Sequence, residues 1–181
     1  MMADMNRLQE IIRQKSYNAD GDFKLASGVS SRFFFDMKVT LLDPEGINLV
    51  ADAFIDRLAG DHIHAIGGLV IGACPIVSAV CLKSHTRSFP IQGFYVRKEP
   101  KKRGTQKMIE GAVLQKGDRI VIVDDVTTSG GSALQAVDEV EGLGCTVVKV
   151  MTIIDRHQGA AENLAKRGLT LEALFTKDDF D

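Results

Sequence analysis

The 181-residue sequence predicts an α/β domain built on a doubly wound, mostly parallel sheet. Three observations carry this. Short continuous apolar runs, such as Ile120-Val121-Ile122-Val123, are what strands buried on both faces require. These runs alternate with segments whose apolar residues recur at helical spacing. The turns after the runs then fall on one rim, where ligands of open α/β sheets bind at the carboxyl ends of the strands.

Residues 4 to about 15 read as a helix with Leu8, Ile11 and Ile12 on one face. Residues 21–40 break the alternation. They contain Gly21, Gly28 and the strand-like run Phe33-Phe34-Phe35-Asp36-Met37-Lys38-Val39, and are expected to form a small subdomain over the ligand rim. Asp43-Pro44-Glu45 opens a helix, with Asp as N-cap, Pro in the first turn and then an acid. That helix runs to about Ala59, with Ile47, Val50, Ala51, Phe54, Ile55 and Leu58 at helical spacing. A strand over 64–71 ends in the turn Gly72-Ala73-Cys74, and Pro75 opens the next helix. A strand over 90–96 leads into a charged run, and the strand 120–123 into a helix from Ser132 to about Leu143. A strand from Val147 to Ile154, a short helix near 160–167 and a last strand near 169–175 complete the chain. No internal repeat, low-complexity stretch or linker divides it, so residues 1–181 read as a single domain.

The segment 120–132, Ile-Val-Ile-Val-Asp-Asp-Val-Thr-Thr-Ser-Gly-Gly-Ser, is the most informative. A buried strand, an acidic pair, a loop of small residues and a helix start make a phosphate-binding turn. The glycines let the backbone approach an anion, and the N–H groups and dipole of the helix start favour negative charge. Asp124 and Asp125 would repel a phosphate, so they suit sugar hydroxyls or a metal instead. A Walker A loop is excluded because no Gly-Lys-Ser/Thr ends the turn, and no Gly-x-Gly-x-x-Gly follows a strand.

A second constellation is the run from Arg97 to Lys107, with Arg97, Lys98, Lys101, Lys102, Arg103 and Lys107 in one stretch that leaves a strand on the ligand rim. Charge runs are commonly solvated loops. Placed here, a cationic loop can close over a pyrophosphate, exclude water and neutralise a leaving group.

The segment 120–132 resembles the signature by which type I phosphoribosyltransferases bind phosphoribosyl pyrophosphate (PRPP), and the cationic run resembles the catalytic loop of orotate phosphoribosyltransferases. The resemblance extends to Phe23-Lys24-Leu25-Ala26-Ser27-Gly28, Phe33-Phe34-Phe35-Asp36 and Asp155-Arg156. It implies the type I phosphoribosyltransferase fold, with residues about 1–40 contributing a hood over the strand carboxyl ends. It also implies transfer of phosphoribosyl from PRPP to orotate, giving orotidine 5-monophosphate and pyrophosphate in pyrimidine biosynthesis. On this resemblance Lys101, Asp124 and Asp125 are catalytic. Arg97, Lys98, Lys101, Arg103, Asp124, Asp125, Val126, Thr127, Thr128, Ser129, Gly130, Gly131 and Ser132 bind PRPP. Lys24, Phe33, Phe34, Thr128 and Arg156 face orotate, with Arg156 matched to its carboxylate. Mg²⁺ is the implied cofactor, held mainly through PRPP and water, with no metal ligand assigned to the protein. The implied assembly is a homodimer whose loop 99–107 reaches the neighbouring site.

Two departures from the family pattern matter. Arg103 stands where the loop histidine is usual, and a guanidinium does not exchange protons near neutral pH. Gly72 stands where some relatives carry lysine, which leaves the N–H groups from Gly72 to Cys74 to meet pyrophosphate.

Composition narrows the alternatives. A net charge of −2 offers no general surface for nucleic acid. No apolar stretch approaches a membrane span, and the N-terminus has no secretory apolar core. Cys74, Cys81 and Cys145 are odd in number, sit among apolar residues and read as core thiols of a cytoplasmic protein. The four histidines have no metal spacing. At this length a fused decarboxylase is not expected. Two rival readings stand beside the main one: a phosphoribosyltransferase for another base, and a non-catalytic PRPP-sensing regulator.

Overall fold

A computed structural model of the chain describes residues 2–19, 21, 23–24, 30–31, 33–100 and 107–180, with side chains left aside at 23, 24, 30 and 31. Helix α1, Met5–Lys15, begins at Asp4, whose carboxylate accepts from the Arg7 N–H at 3.0 Å. It buries Leu8, Ile11 and Ile12, the face expected from their spacing. Two short ribbons follow: β1, Tyr17–Asn18, pairs with β4, Phe34–Phe35, and between them β2, Phe23–Lys24, pairs with β3, Ser30–Ser31.

The expected strand over 33–39 is corrected. Only Phe34–Phe35 is a strand, and Met37–Leu41 is a short helix, α2. Met37, Thr40 and Leu41 are its buried residues, at the three- and four-residue spacing of a helix face rather than the two-residue spacing of a strand. Thr40 is fixed by a buried hydroxyl pair with Ser16 at 2.7 Å. Helix α3, Pro44–Leu58, opens as expected, with the Asp43 carboxylate accepting from Gly46 N–H at 2.9 Å and an ion pair from Lys15 holding that carboxylate.

Strand β5, Ala65–Leu69, leads to helix α4, Ala73–Thr86, and then to β6, Gln92–Val96. Strand β7, Ile109–Gly111, returns antiparallel beside β6. Next come β8, Arg119–Thr127; α5, Gly131–Gly142; β9, Thr146–Asp155; α6, Ala160–Ala165; and β10, Leu171–Thr176, followed by a 3-10 turn at Lys177–Asp179.

The main sheet has six strands in the order β10-β9-β8-β5-β6-β7, parallel except for the β6–β7 pair. Both faces are covered. Ile66, Val121, Val123, Met151 and Ile153 share one core with α1, α3 and α4 through Leu8, Phe54 and Ile76. Ala65, Ile120, Ile122 and Val150 share the other with α5 and α6 through Ala133, Val137 and Leu164. The continuous apolar runs are thus alternations between two cores. The chain adds β6 on one side of β5 and returns to lay β8 on the other, so a topological switch point lies between β5 and β8.

Candidate active site

The switch point gathers Asp124, Asp125, the residues from Val126 to Ser132 and Arg156. Strand β8 is longer than the apolar run: it continues through Thr127, so Asp124, Val126 and Thr127 are ladder residues opposite Thr152, Ile154 and Asp155 of β9. The acidic pair is therefore held by a strand, more rigidly than the expected turn would hold it. Asp124 is buried, and its carboxylate accepts from the Asp125 N–H at 3.0 Å. The Asp125 carboxylate accepts from the Val126 N–H at 2.9 Å. Burial first, and then the neighbouring Asp125 charge, push the Asp124 carboxyl up to about 8, while the nearby Lys98 cation acts in the opposite direction.

The turn after β5 presses against this pair. A Cβ placed on Gly72 would lie 2.4 Å from Oδ1 of Asp125 and 3.2 Å from Oδ1 of Asp124. A side chain at 72 would have to displace the pair, so glycine there permits this close approach of backbone to carboxylate. The Cys74 N–H donates to the Ile71 carbonyl at 3.1 Å. It is therefore engaged within the turn, and the expectation of free donors from Gly72 to Cys74 is corrected at Cys74.

Beyond the acids, Val126, Thr127, Thr128, Ser129, Gly130, Gly131 and Ser132 line, with Asp124, a cavity of about 260 Å³. Gly130 adopts φ +82°, a left-handed conformation that a side chain would strain, and it precedes α5 with no side-chain cap. The first N–H groups of the twelve-residue α5 are thereby available to an anion. The Thr127 hydroxyl is buried and has no hydrogen-bond partner among the described residues, a donor that a bound oxyanion in the cavity would satisfy. Asn163 of α6 donates to the Ser129 carbonyl at 2.9 Å and braces the loop. Its role was not legible in the sequence, because α6 reaches the loop only through tertiary packing.

Arg156 follows β9, and its N–H donates to the Thr127 carbonyl at 3.0 Å, which places it beside the loop. Its side chain is buried at 2% exposure. The guanidinium carbon lies 4.5 Å from the centroid of the Phe33 ring, and Nη2 donates to the Phe33 carbonyl at 3.4 Å. Burial lowers the Arg156 pKa. Phe33 and Arg156, predicted separately, are thus one unit. Within β4, strand alternation puts Phe34 on the opposite face from the buried Phe35.

The cationic run connects β6 to β7. Val96 pairs with Ile109, and the Arg97 N–H donates to the Met108 carbonyl at 2.8 Å, so its two ends form the base of a hairpin. The Arg97 guanidinium lies 3.7 Å from the Glu110 carboxylate of β7. Lys98 is exposed near the acidic pair, and Gln135 of α5 donates to its carbonyl at 3.3 Å. Val70, Arg97, Lys98, Glu99 and Pro100 line a second cavity, of about 430 Å³. Lys101 and Arg103 lie outside the described residues, as does the Lys24 side chain; the Lys24 backbone pairs with Ser30. Among the described residues no group of three or more His, Cys, Asp or Glu side chains could hold a metal ion. No helix there is long and apolar enough to cross a membrane.

A five-stranded parallel core with a turn of small residues and an acidic pair at its switch point places this cavity where open α/β sheets of the nucleotide-binding kind take their ligands. Comparison with known proteins gives the family. A phosphoribosyl transferase domain profile matches residues 55–178. The orotate phosphoribosyltransferase of Bradyrhizobium diazoefficiens is 42% identical, over 98% of this chain and 96% of its own. Among solved structures, orotate phosphoribosyltransferase from Mycobacterium tuberculosis in complex with Fe(III) dicitrate superposes with a TM-score of 0.84 at 33% identity, covering 98% of both chains. The same protein in complex with PRPP gives 0.81 at 31% identity, again over 98% of both. The chain belongs to the phosphoribosyltransferase family, in its orotate phosphoribosyltransferase branch.

Proposed function

We infer that the chain is an orotate phosphoribosyltransferase, a pentosyltransferase that joins PRPP to orotate and releases orotidine 5-monophosphate and pyrophosphate in the making of UMP. The observation that carries this is the meeting, at one switch point, of the acidic pair, the phosphate loop and the Arg156–Phe33 unit. Its full-length likeness to proteins of that name supports the base assignment.

In the reaction the bond from ribose C1 to a pyrophosphate oxygen breaks, the electron pair leaves with pyrophosphate, and a ring nitrogen of orotate bonds to C1. The transition state carries positive charge on the sugar and negative charge on the leaving group, so electrostatic preorganisation is the main need. The 5-phosphate sits on Thr127 to Ser132 and the start of α5. Asp124 and Asp125 hold the ribose hydroxyls and place C1. Arg156 pairs with the orotate carboxylate while Phe33 walls the ring. Lys98 and Arg97 flank the pyrophosphate side, with Lys101 and Arg103 assigned there from the sequence. Two adjacent carboxylates suit Mg²⁺, a hard cation, but fall well short of a full oxygen set, so Asp124 and Asp125 would hold it mainly by way of substrate hydroxyls and water. The ion, when bound, neutralises phosphate oxygens.

The ribbon bearing Phe33 is taken to be the part of residues 1–40 that forms a hood, supported by the contact with Arg156. The resemblance to orotate phosphoribosyltransferases is what supports reading the assembly as a homodimer with loop 99–107 reaching the neighbouring site. The three free cysteines agree with a reducing cytoplasm.

The test mixes protein, orotate, PRPP and Mg²⁺ and follows orotate absorbance, with uracil, hypoxanthine and adenine in parallel. Orotate loss that needs both PRPP and metal is the expected result. Turnover of another base alone would replace the substrate, and a PRPP-binding protein that turns over none would be a sensor.

A further inference from the structure

The C-terminal turn is tied to the Arg156–Phe33 unit by two separate routes. After β10, the turn at Lys177–Asp179 is closed by Thr176, whose N–H and hydroxyl both donate to the Asp179 carboxylate at 2.7 and 2.9 Å. Phe180 then points back into the fold and is 2% exposed. Its ring meets Phe35 edge-on, with centroids 5.2 Å apart and planes at 74°. Phe35 meets Phe33 edge-on at 6.0 Å and 77°. The Arg156 guanidinium lies on the last ring of this series. Tyr17 closes the cluster, 5.8 Å from Phe180 and 5.0 Å from Phe35.

The second route is polar. His157, the residue after Arg156, pairs through Nδ1 with the Asp178 carboxylate at 3.0 Å, and its N–H donates to Asp155 at 2.9 Å. Helix α1 anchors the turn from outside. Arg13 donates to the carbonyls of Phe180 and Asp179 at 2.7 and 2.8 Å, Gln9 donates to Asp179 at 2.6 Å, and the Arg13 guanidinium lies 5.4 Å from the Phe180 centroid.

We propose that Phe180 is a positioning residue for the base site: through Phe35 it sets the tilt of Phe33, and so the height and angle of the Arg156 guanidinium that receives the orotate carboxylate. This rests on the reading of Arg156 given above. Edge-on aromatic contacts hold within a narrow range of ring angles, so a ring removed at one end leaves a void into which the next ring rotates. None of the rings lines the phosphate-loop cavity, so the effect falls on the base and leaves PRPP alone.

The experiment compares Phe180→Ala, Phe180→Leu, Arg13→Ala and a control, Val140→Ala, which opens a void in the other core near the far end of α5. Steady-state rates are measured with each substrate varied, beside thermal melts. Phe180→Ala is expected to raise the KM for orotate about five- to twenty-fold with PRPP KM within about two-fold, as loss of a cation–π alignment implies. Phe180→Leu, which refills the space, restores part of the loss. Arg13→Ala, which frees the turn without opening a core void, shows the same split to a smaller degree and serves if Phe180→Ala does not fold. Val140→Ala lowers the melting temperature without the split. An unchanged ratio of the two KM values in the Phe180 and Arg13 variants, or the same split in Val140→Ala, overturns the proposal. A wild-type protein inert toward orotate would instead overturn the base assignment and the proposal with it, and would be seen before any substitution was compared.

Discussion

Gly72 and Asp125 stand so close that a single Cβ on the glycine would lie 2.4 Å from the carboxylate Oδ1. The turn after β5 therefore sets where the Asp125 carboxylate can rest. Gly72→Ala is predicted to fold normally, since the atom it meets ends a side chain, but to turn Asp125 away. The expected loss in kcat/KM for PRPP is about 10- to 100-fold, the scale of an ångström-sized misplacement. Wild-type kinetics in Gly72→Ala would show that the acid does not depend on this approach.

Asp124 makes a pH prediction. Its folded-state pKa is raised to about 8 by burial and by Asp125, from an ordinary value of about 4. Between those values the folded state holds a proton that the unfolded chain has released. The group's contribution to stability is then full below the lower value and is lost as pH rises toward the upper one. The ligand-free protein should gain melting temperature from Asp124→Asn at pH 8 and little at pH 4. Binding PRPP with Mg²⁺ at pH 7 brings a cation to the pair and should release a proton, read by calorimetry in buffers of different ionisation enthalpy. Equal proton release in Asp124→Asn would assign the titration elsewhere.

The loop cations are predicted to act on the leaving group. Lys101→Ala should lower turnover by about two or more orders of magnitude with the melting temperature intact, as expected for a charge aimed at developing negative charge. If two chains share each site, a mixed dimer of Lys101→Ala with Asp125→Asn chains recovers activity that neither parent has. Full turnover in the alanine variant removes Lys101 from the chemistry, and a silent mixed dimer argues that each loop serves its own site.

Asn163 braces the loop 127–132 from α6 through one hydrogen bond to the Ser129 carbonyl. Losing a bond of about 1 kcal/mol corresponds to roughly five-fold, so Asn163→Ala should raise the KM for PRPP by about that factor. The orotate KM should hardly move. A change confined to orotate would mean that α6 supports the base side instead.

Much of this was legible in the sequence because it is local. Asp43-Pro44 capped its helix, the face of Leu8, Ile11 and Ile12 went inside, and the loop 127–132 formed at the end of its strand. The misread elements share a cause. Residues 37–41 follow three phenylalanines, and β-branched Val39 and Thr40 favour a strand until Thr40 finds the Ser16 hydroxyl, a tertiary contact. Strand β8 runs past its apolar stretch because β9 supplies partners for Asp124 and Thr127, which local chemistry assigns to a turn. Strand β7 is three residues long, too short for any period to declare itself. The contacts of Gly72, Asn163 and Phe180 join residues far apart in the chain, and no spacing encodes them.

The β6–β7 hairpin is the one antiparallel pair in an otherwise parallel sheet. A parallel crossover would carry the chain to the opposite rim; a hairpin brings it back where it left. Both ends of the cationic segment are therefore pinned beside the cleft by the Val96–Ile109 pair, whatever lies between them. Doubling such a connection costs only about 0.6 kcal/mol in closure entropy. The segment can thus lengthen, shorten or exchange charges over evolutionary time, or in an engineer's library, without disturbing the register of a single buried strand.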